Sequence, residues 1–181
     1  MGTHVLLLRG INVGGRNRLR MADLRSLVER LGYADVRTHL QSGNVVCTGP
    51  GTPADAAGAM AHAIRDELGL HVPVVARSAP EWAAVLTAHP FVGDEDDPTR
   101  LHVAFLDGVP EPERVAGLEA RAGAFAPDRF AVAGAHVYLH VPGSYADTRL
   151  QNALLEKELG RSATTRNWRT VAALADLAGA R

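Results

Sequence analysis

A chain of 181 residues with 46% hydrophobic residues is long enough to bury a substantial core, as one domain or as two small subdomains. Its formal net charge of −1 argues against a general nucleic-acid binder, which carries a marked basic excess, without excluding a local basic patch. The single cysteine, Cys47, excludes an internal disulfide and fits a cytoplasmic location. The apolar run at residues 5–8 is too short for a signal peptide, and no apolar run reaches membrane-spanning length, so we expect no membrane partner.

The first half of the chain predicts the element order β-α-β-β-α-β, the split βαβ pattern. An unbroken apolar run favours a buried first strand, and apolar residues at helical spacing from Met21 to Leu31 favour a helix that stops at Gly32. The pair Thr52-Pro53 opens the second helix, with proline at its first position. The predicted strands are residues 4–9, 36–40, 45–48 and 72–76, and the predicted helices are residues 21–31 and 53–68.

A third helix begins at the capping box formed by Ser78 and Glu81, and the acidic segment 93–98 is the best linker candidate. The second half repeats the element order of the first, although the halves share no obvious sequence identity. Its predicted strands are 101–106, 129–133, 137–141 and 162–165, and its predicted helices are 111–122, 150–159 and 168–178. We therefore predict an α+β fold of two duplicated ferredoxin-like (split βαβ) subdomains, at residues 1–92 and 99–181, with an extra C-terminal helix.

The most unusual stretch is RGINVGGRNRLR, residues 9–20, between the first strand and the first helix. Gly14 and Gly15 accept positive φ freely, and Asn12 tolerates it, so successive amides of this loop can point inward around a negative charge. The N-terminus of the following helix faces the same space, and the arginines of the loop add charge-assisted donors. The stretch matches neither the P-loop nor the G-x-G-x-x-G pattern. Loop statistics alone favour the alternative, a glycine-rich turn with solvated arginines.

Topology brings a second segment close to this loop. In the split βαβ fold, the loop after the first strand and the hairpin between the second and third strands leave the sheet at the same end. Residues 12–20 are therefore expected near Gln41, Ser42 and Asn44, with the loop around His71 beside them. The alternative for the hairpin is an ordinary turn, which favours glycine and asparagine in any case.

A second unusual stretch, ATTRNWRTV, covers residues 163–171. Thr165 or Asn167 is suited to cap the final helix. Arg166 and Arg169 flank the positive end of that helix, where cations are disfavoured, which suggests that an anion or an acidic partner offsets them. A capped helix with Trp168 packed as core explains the same residues equally well.

Metal and catalytic motifs are not evident in the sequence. The four carboxylates of segment 93–98 are consecutive and cannot all converge on one ion. His136, Tyr138 and His140 share one strand face at a spacing of roughly 7 Å, without a third ligand, so we interpret them as partly exposed sheet residues. We interpret Cys47, which lacks a CxxC partner, as a small buried hydrophobe. We predict no metal site and assign neither catalytic residues nor a cofactor.

Two groups of residues resemble the signatures of the bacterial domain-of-unknown-function family 1697, and together they span nearly the whole chain. The N-terminal group comprises Leu7 to Gly15, Met21, Leu24, Val36-Arg37-Thr38 and Ser42-Gly43-Asn44-Val45. The C-terminal group comprises Thr148-Arg149-Leu150, Asn152, Glu156, Leu159-Gly160 and Ala163 to Trp168. The resemblance implies a duplicated ferredoxin-like fold and no assigned reaction. Arg149 stands where lysine is usual in the family. Because arginine stays protonated, it retains a charge role but cannot act as an amine base.

Three functions follow as hypotheses. The first is a module that binds a phosphorylated or otherwise anionic small molecule or nucleotide. The second is an enzyme of unknown reaction using the same pocket, with Arg149, Arg166 or Asn167 as electrostatic groups and His71 or His39 as the base. The third, a nucleic-acid-binding or interaction module that uses the open sheet face, ranks last because the first and third strands lack aromatic residues. The predicted ligand-binding residues are Arg9, Asn12, Gly14, Gly15, Arg16, Asn17, Arg18, Gln41, Ser42, Asn44, Arg149, Thr165, Arg166 and Asn167.

Overall fold

The computed structural model describes residues 1–15 and 17–180. Over these residues the chain forms six α-helices and eight strands, which make two four-stranded antiparallel sheets. Two compact units result, one from Met1–Thr87 together with residues 173–180, the other from Ala88–Ala172. Each sheet is paired with helices in the ferredoxin-like arrangement, so the predicted α+β fold of two duplicated subdomains is confirmed.

The first half of the chain supplies the first sheet, with strand order β2-β3-β1-β4. Its elements are β1 (Gly2–Leu8), α1 (Met21–Arg30), β2 (Ala34–His39), β3 (Asn44–Gly49), α2 (Pro53–Leu68), β4 (Val74–Ser78) and α3 (Ala79–Ala88). β1 is central, and its Leu6 lies opposite Val45 of β3 and Ala76 of β4. Helices α1 and α2 bury their apolar faces, which include Leu24 and Ile64, in the same core as Leu6.

Local sequence signals fix where these helices begin and end. Thr52 and Asp55 form a reciprocal capping box at the start of α2, and Gly69 ends α2 in the left-handed conformation. Ser78 and Glu81 form the predicted box at the start of α3, where the Ser78 amide donates to the Glu81 carboxylate at 2.7 Å. These signals are local, and this explains why they could be recognised in the sequence.

The second half supplies the second sheet, with strand order β6-β7-β5-β8. Its elements are β5 (Leu101–Leu106), α4 (Pro112–Glu119), β6 (Arg129–Ala133), β7 (His136–His140), α5 (Asn152–Leu159), β8 (Ala163–Asn167) and α6 (Trp168–Ala178), with 3-10 turns at Pro98–Arg100 and Ala122–Phe125. Its core gathers Ala104 and Leu106 of β5, Leu118 of α4 and Leu155 of α5, all fully buried. The two sheets therefore have the same order and the same central strand.

The strand register identifies equivalent positions in the two halves, and a short segment at these positions is similar in sequence. His4 lies opposite Ser78 in the first sheet, and His102 lies opposite Asn167 in the second. The segments that follow, HVLLLRG from His4 and HVAFLDG from His102, then share His, Val, Leu and Gly. Equivalent strand pairing aligns the two segments, and four of their seven positions are identical.

The acidic segment 93–98, which the composition marked as a linker, is bonded within the second unit. Asp94 pairs with Arg129 at 3.1 Å, and Glu95 lies 2.9 Å from Nε2 of His140. The interpretation of the β7 face as partly exposed was wrong for Tyr138 and His140, which are 2% and 8% exposed. Because Glu95 and Arg129 both bond to the His140 ring, the acidic loop covers that end of the strand.

Leu40, at the turn between β2 and β3, combines two unfavourable features. Its φ is +59°, a conformation that leucine rarely adopts, and its side chain is 57% exposed. Asparagine tolerates this conformation, so Leu40→Asn is expected to raise the free energy of unfolding by about 0.5–1 kcal/mol. Urea denaturation measures the change. Leu40→Ala is the control, because alanine keeps the strained backbone, and an equal gain in Leu40→Ala would contradict strain as the cause.

Candidate functional site

The connection between β1 and α1 is longer than the fold requires. It takes twelve residues, 9–20, whereas the equivalent connection between β5 and α4 takes five, 107–111. The hairpin at the same end of the sheet is also longer, with residues 40–43 between β2 and β3 but only residues 134–135 between β6 and β7. Closing the fold therefore does not require the extra residues of the first half.

Asn12 holds the long loop in shape. Its Nδ2 donates to the carbonyl oxygen of Leu19 at 2.8 Å and to that of Gln41 at 2.7 Å, and its Oδ1 accepts the Leu19 amide at 2.9 Å. Its own amide donates to the Asn17 carbonyl, and Asn17 in turn donates through Nδ2 to the Gly10 carbonyl. Asn12 and Asn17 have φ of +55° and +46°, and asparagine tolerates this region. The predicted proximity of loop and hairpin is confirmed by the hydrogen bond from Asn12 to Gln41.

The hairpin is fixed against the end of β1. The Leu8 amide donates to the Gly43 carbonyl at 2.8 Å, and a Cβ on Gly43 would lie 2.6 Å from Cδ1 of Ile11. Only glycine fits there. Asn44 is fully buried and donates through Nδ2 to the His39 carbonyl and to Oγ of Ser42. Ser42 and Asn44 therefore support the turn from within.

A cavity of about 720 Å³ opens between this loop, the hairpin and the end of α2. Sequence reasoning missed the wall that Leu68 and Leu70 supply, although topology placed the α2–β4 loop nearby. His71, the candidate base, lines a separate cavity of about 390 Å³ on the outer side of α2. The lining residues of the larger cavity are Asn12, Gly15, Arg18, Leu19, Arg20, Asp23, Gln41, Leu68 and Leu70.

The charges of the cavity are unequally compensated. Arg20 donates through Nε and Nη2 to both carboxylate oxygens of Asp23, at 2.8 and 2.9 Å, and the hydrogen bond from Arg20 lowers the pKa of Asp23. Arg18 has no acidic partner within residues 1–15 and 17–180. Arg20 is also the N-cap of α1, and its side chain accepts no hydrogen bond from the first amides of the helix. The described lining thus keeps an excess of positive charge.

Of the remaining predicted residues of the first unit, Arg9 and Gly14 do not border the cavity, whereas Gly15 does. Gly14 has φ of +57° and is exposed, and the Arg9 amide donates to the Pro73 carbonyl at 3.0 Å. Gly15 has φ of +77° and borders the cavity. Arg16, also predicted to bind the ligand, lies outside the described residues.

The predicted residues of the C-terminal stretch lie in the second unit and serve its own structure. Thr165 donates through Oγ1 to Oδ1 of Asn152 at 2.7 Å. Asn167 caps α6, as one of the two predicted alternatives had it, because its Oδ1 accepts the Arg169 amide at 2.9 Å. Arg166 is half-buried, and the loss of solvent around its guanidinium lowers its pKa to about 10. These three residues are consecutive on β8 and are not part of the cavity in the first unit.

Arg149 stands apart from that stretch, on the loop between β7 and α5. Its guanidinium lies 5.3 Å from the centre of the Phe125 ring and donates to the Ala124 carbonyl. It borders a smaller cavity of about 340 Å³, together with Asp128 and Asp147. Arg149 and the β1–α1 loop therefore border different cavities.

Further findings limit the chemistry. Within the described ranges, no three His, Cys, Asp or Glu side chains are grouped so as to hold a metal ion. Burial raises the pKa of the Cys47 thiol to about 12, which makes it a poor nucleophile. None of the helices in this part of the chain is both long and apolar enough to cross a membrane.

Comparisons with known proteins agree with this fold. No curated protein matches the chain. Among solved structures, the chain is similar to the conserved bacterial protein SP0830 from Streptococcus pneumoniae, with a TM-score of 0.70, 24% sequence identity and 98% of each chain covered. The family model of a protein of unknown function, DUF1697, matches residues 1–138, so this chain belongs to the DUF1697 family.

Proposed function

We propose that this protein binds an anionic small molecule, a phosphorylated compound or nucleotide, in the cavity between the β1–α1 loop and the β2–β3 hairpin. The observation that carries the proposal is the twelve-residue loop, where the duplicated half closes the same connection with five residues. A cavity of about 720 Å³ falls within the range of small-molecule sites.

The hydrogen bonds and ion pairs that the side chains already make within the protein indicate which groups are available to contact the ligand. Arg18 supplies the charge that the described lining leaves uncompensated, and Gln41 and the amides around Gly15 supply neutral donors. Asn12 and Asn17 hold the loop, and Asn44 holds the hairpin, so these three position the site without contacting ligand.

Binding is favoured over catalysis because the cavity offers little acid–base chemistry. Among its described lining residues Asp23 is the sole acid, and it is already paired with Arg20. A general base needs both reach and a pKa near the working pH, whereas the Asp23 pKa is shifted downward. Nucleic-acid binding ranks below both, because β1 and β3 carry no Phe, Tyr or Trp on which a base could stack, and His4 of β1 is buried.

Opposite effects are expected from two substitutions in the cavity. Pyrophosphate serves as the anionic probe. Arg18→Gln removes the uncompensated charge and should weaken pyrophosphate binding about tenfold, which corresponds to the loss of one charge-assisted hydrogen bond. Asp23→Asn frees Arg20 and removes a competing carboxylate, so it should tighten binding about threefold. Isothermal titration calorimetry at low salt measures both changes.

Arg25→Gln is the matched control, because Arg25 is an exposed arginine of α1 that does not border the cavity. It should bind pyrophosphate as the unchanged protein does. Equal weakening in Arg18→Gln and Arg25→Gln would indicate a general charge effect and would remove the cavity from consideration.

A further inference from the structure

Exposed aliphatic side chains are concentrated around the same cavity. Among the described residues of the first unit, the large hydrophobic side chains that are exposed are Val13 (66%), Leu40 (57%), Leu68 (40%) and the terminal Met1. Val13 follows Asn12 and Leu40 precedes Gln41, the two residues joined across the cavity by a hydrogen bond. Leu68 borders the cavity itself. Apart from the chain terminus, each of these exposed apolar residues therefore either borders the cavity or is the neighbour in the chain of a residue that does.

Leu40 combines an exposed apolar side chain with an unfavourable backbone conformation. Its φ of +59° is one that glycine or asparagine adopts with less strain, yet the position holds a leucine whose side chain points largely into solvent. Backbone strain and apolar exposure at one residue are both unfavourable for folding. A residue that combines backbone strain with an exposed apolar side chain is best explained by an interaction with a ligand.

The cavity wall is also partly aliphatic. Leu19, Leu68 and Leu70 give it an aliphatic side, and Arg18 gives it a charged side. The described lining residues include no aromatic side chain on which a nucleobase would stack. The site therefore offers an anion subsite next to an aliphatic subsite that continues to the exposed rim.

We propose that the ligand is an amphiphile, a phosphate ester whose aliphatic chain lies along Leu68, Leu70 and the rim formed by Val13 and Leu40. This inference rests on the proposed function, because it assigns the phosphate to the subsite of Arg18. It narrows the ligand class from phosphorylated compounds in general to those with an aliphatic chain.

A series of monoalkyl phosphates tests the proposal on the full chain. Ethyl, butyl and hexyl phosphate are titrated below their micellar concentrations by isothermal titration calorimetry, with inorganic phosphate and AMP as comparators. We expect the dissociation constant to fall about two- to fourfold with each added methylene that is buried. Hexyl phosphate is expected to bind more tightly than AMP.

Two variants separate the subsites. The double variant Leu40→Asn with Leu68→Ser should flatten the dependence on chain length while inorganic phosphate binds unchanged. Val109→Ser, an exposed valine of the second unit, is the matched control and should keep the dependence. Arg18→Gln should weaken every ester of the series by the same factor.

The outcomes distinguish this inference from the proposed function. Equal affinities for ethyl and hexyl phosphate, or tighter binding of AMP, would overturn the amphiphile and leave the anion site standing. Binding to phosphatidylglycerol vesicles with no binding of soluble hexyl phosphate would overturn it as well. Absence of binding for every phosphate in the series would overturn the proposed function itself.

Discussion

Lowering the pH from 7 to 5 is expected to reduce the free energy of unfolding by about 3 kcal/mol, because two buried histidines resist protonation in the folded state. Burial lowers the pKa of both His89 and His102 from 6.5 to about 4. Between those values the unfolded chain binds more protons than the folded chain, so stability falls as the pH falls. The contribution of the two neutral histidines to the free energy of unfolding is fully present above pH 6.5. Full linkage would give about 2 kcal/mol per ring at pH 5, and residual solvent screening reduces that.

The surroundings of both rings explain why neither takes up a proton readily. His89 is 6% exposed and contacts the rings of Tyr138 and Trp168, while its Nδ1 accepts the Phe91 amide. The neighbouring His102 and His140 also disfavour a positive charge on His89. A proton on Nδ1 would displace the Phe91 amide and place a cation among aromatic and apolar groups.

His102 is 5% exposed and stacks on Tyr145 with ring centres 4.5 Å apart. Its Nδ1 is buried and has no hydrogen-bond partner within the described part of the chain. Protonation of this atom would therefore create a buried charge that no described acceptor compensates. The ring is held by its stacking on Tyr145 and by a hydrogen bond to the Arg100 backbone, and its neutral form is the one that the site accommodates.

Urea denaturation at pH 7, 6 and 5 measures the effect, in a range above that in which ordinary carboxylates take up protons. His102→Phe keeps the stacked ring and removes the titrating nitrogen, so it should halve the loss of stability between pH 7 and 5. A free energy of unfolding that is the same at pH 7 and pH 5 would contradict the neutral state of both histidines.

The sequence predicted the fold well because the signals that specify it are local and periodic. The continuous apolar run of β1, the apolar spacing in α1 and the Thr52-Pro53 start of α2 each act over a few residues. Topology then placed the β1–α1 loop beside the β2–β3 hairpin without any side-chain information. These steps use only the order and the type of the elements.

The details of the site depended on side-chain geometry that the sequence does not specify. Nothing in the sequence showed that Asn12 bonds to Leu19 and Gln41, because both partners are backbone carbonyls. The pairing of Arg20 with Asp23 follows helical spacing and was a recognisable signal. Partial burial of Arg166 on β8 was not recognisable, since a short polar strand gives no sign of which face is covered.

Replacing Asn12 is expected to detach the β1–α1 loop from the hairpin. Asn12→Ala removes three side-chain hydrogen bonds, each worth about 1 kcal/mol, and puts alanine at φ of +55°. Together these changes should lower the free energy of unfolding by about 4 kcal/mol. If the loop opens locally instead, the Leu19 amide should exchange with solvent much faster while the core amides keep their protection.

Asn12→Gly separates the two contributions, because glycine adopts positive φ without penalty but restores none of the hydrogen bonds. It should lower stability by about 3 kcal/mol and weaken pyrophosphate binding as Asn12→Ala does. Asn17→Ala is the second comparison, since Asn17 contributes a single side-chain bond, to the Gly10 carbonyl, and should lower stability by only about 1–2 kcal/mol. Unchanged protection of the Leu19 amide in Asn12→Gly, together with unchanged pyrophosphate affinity, would show that the loop keeps its shape without these bonds. The cavity would then have to be formed by the backbone conformation of the glycines, and Asn12 would be replaceable.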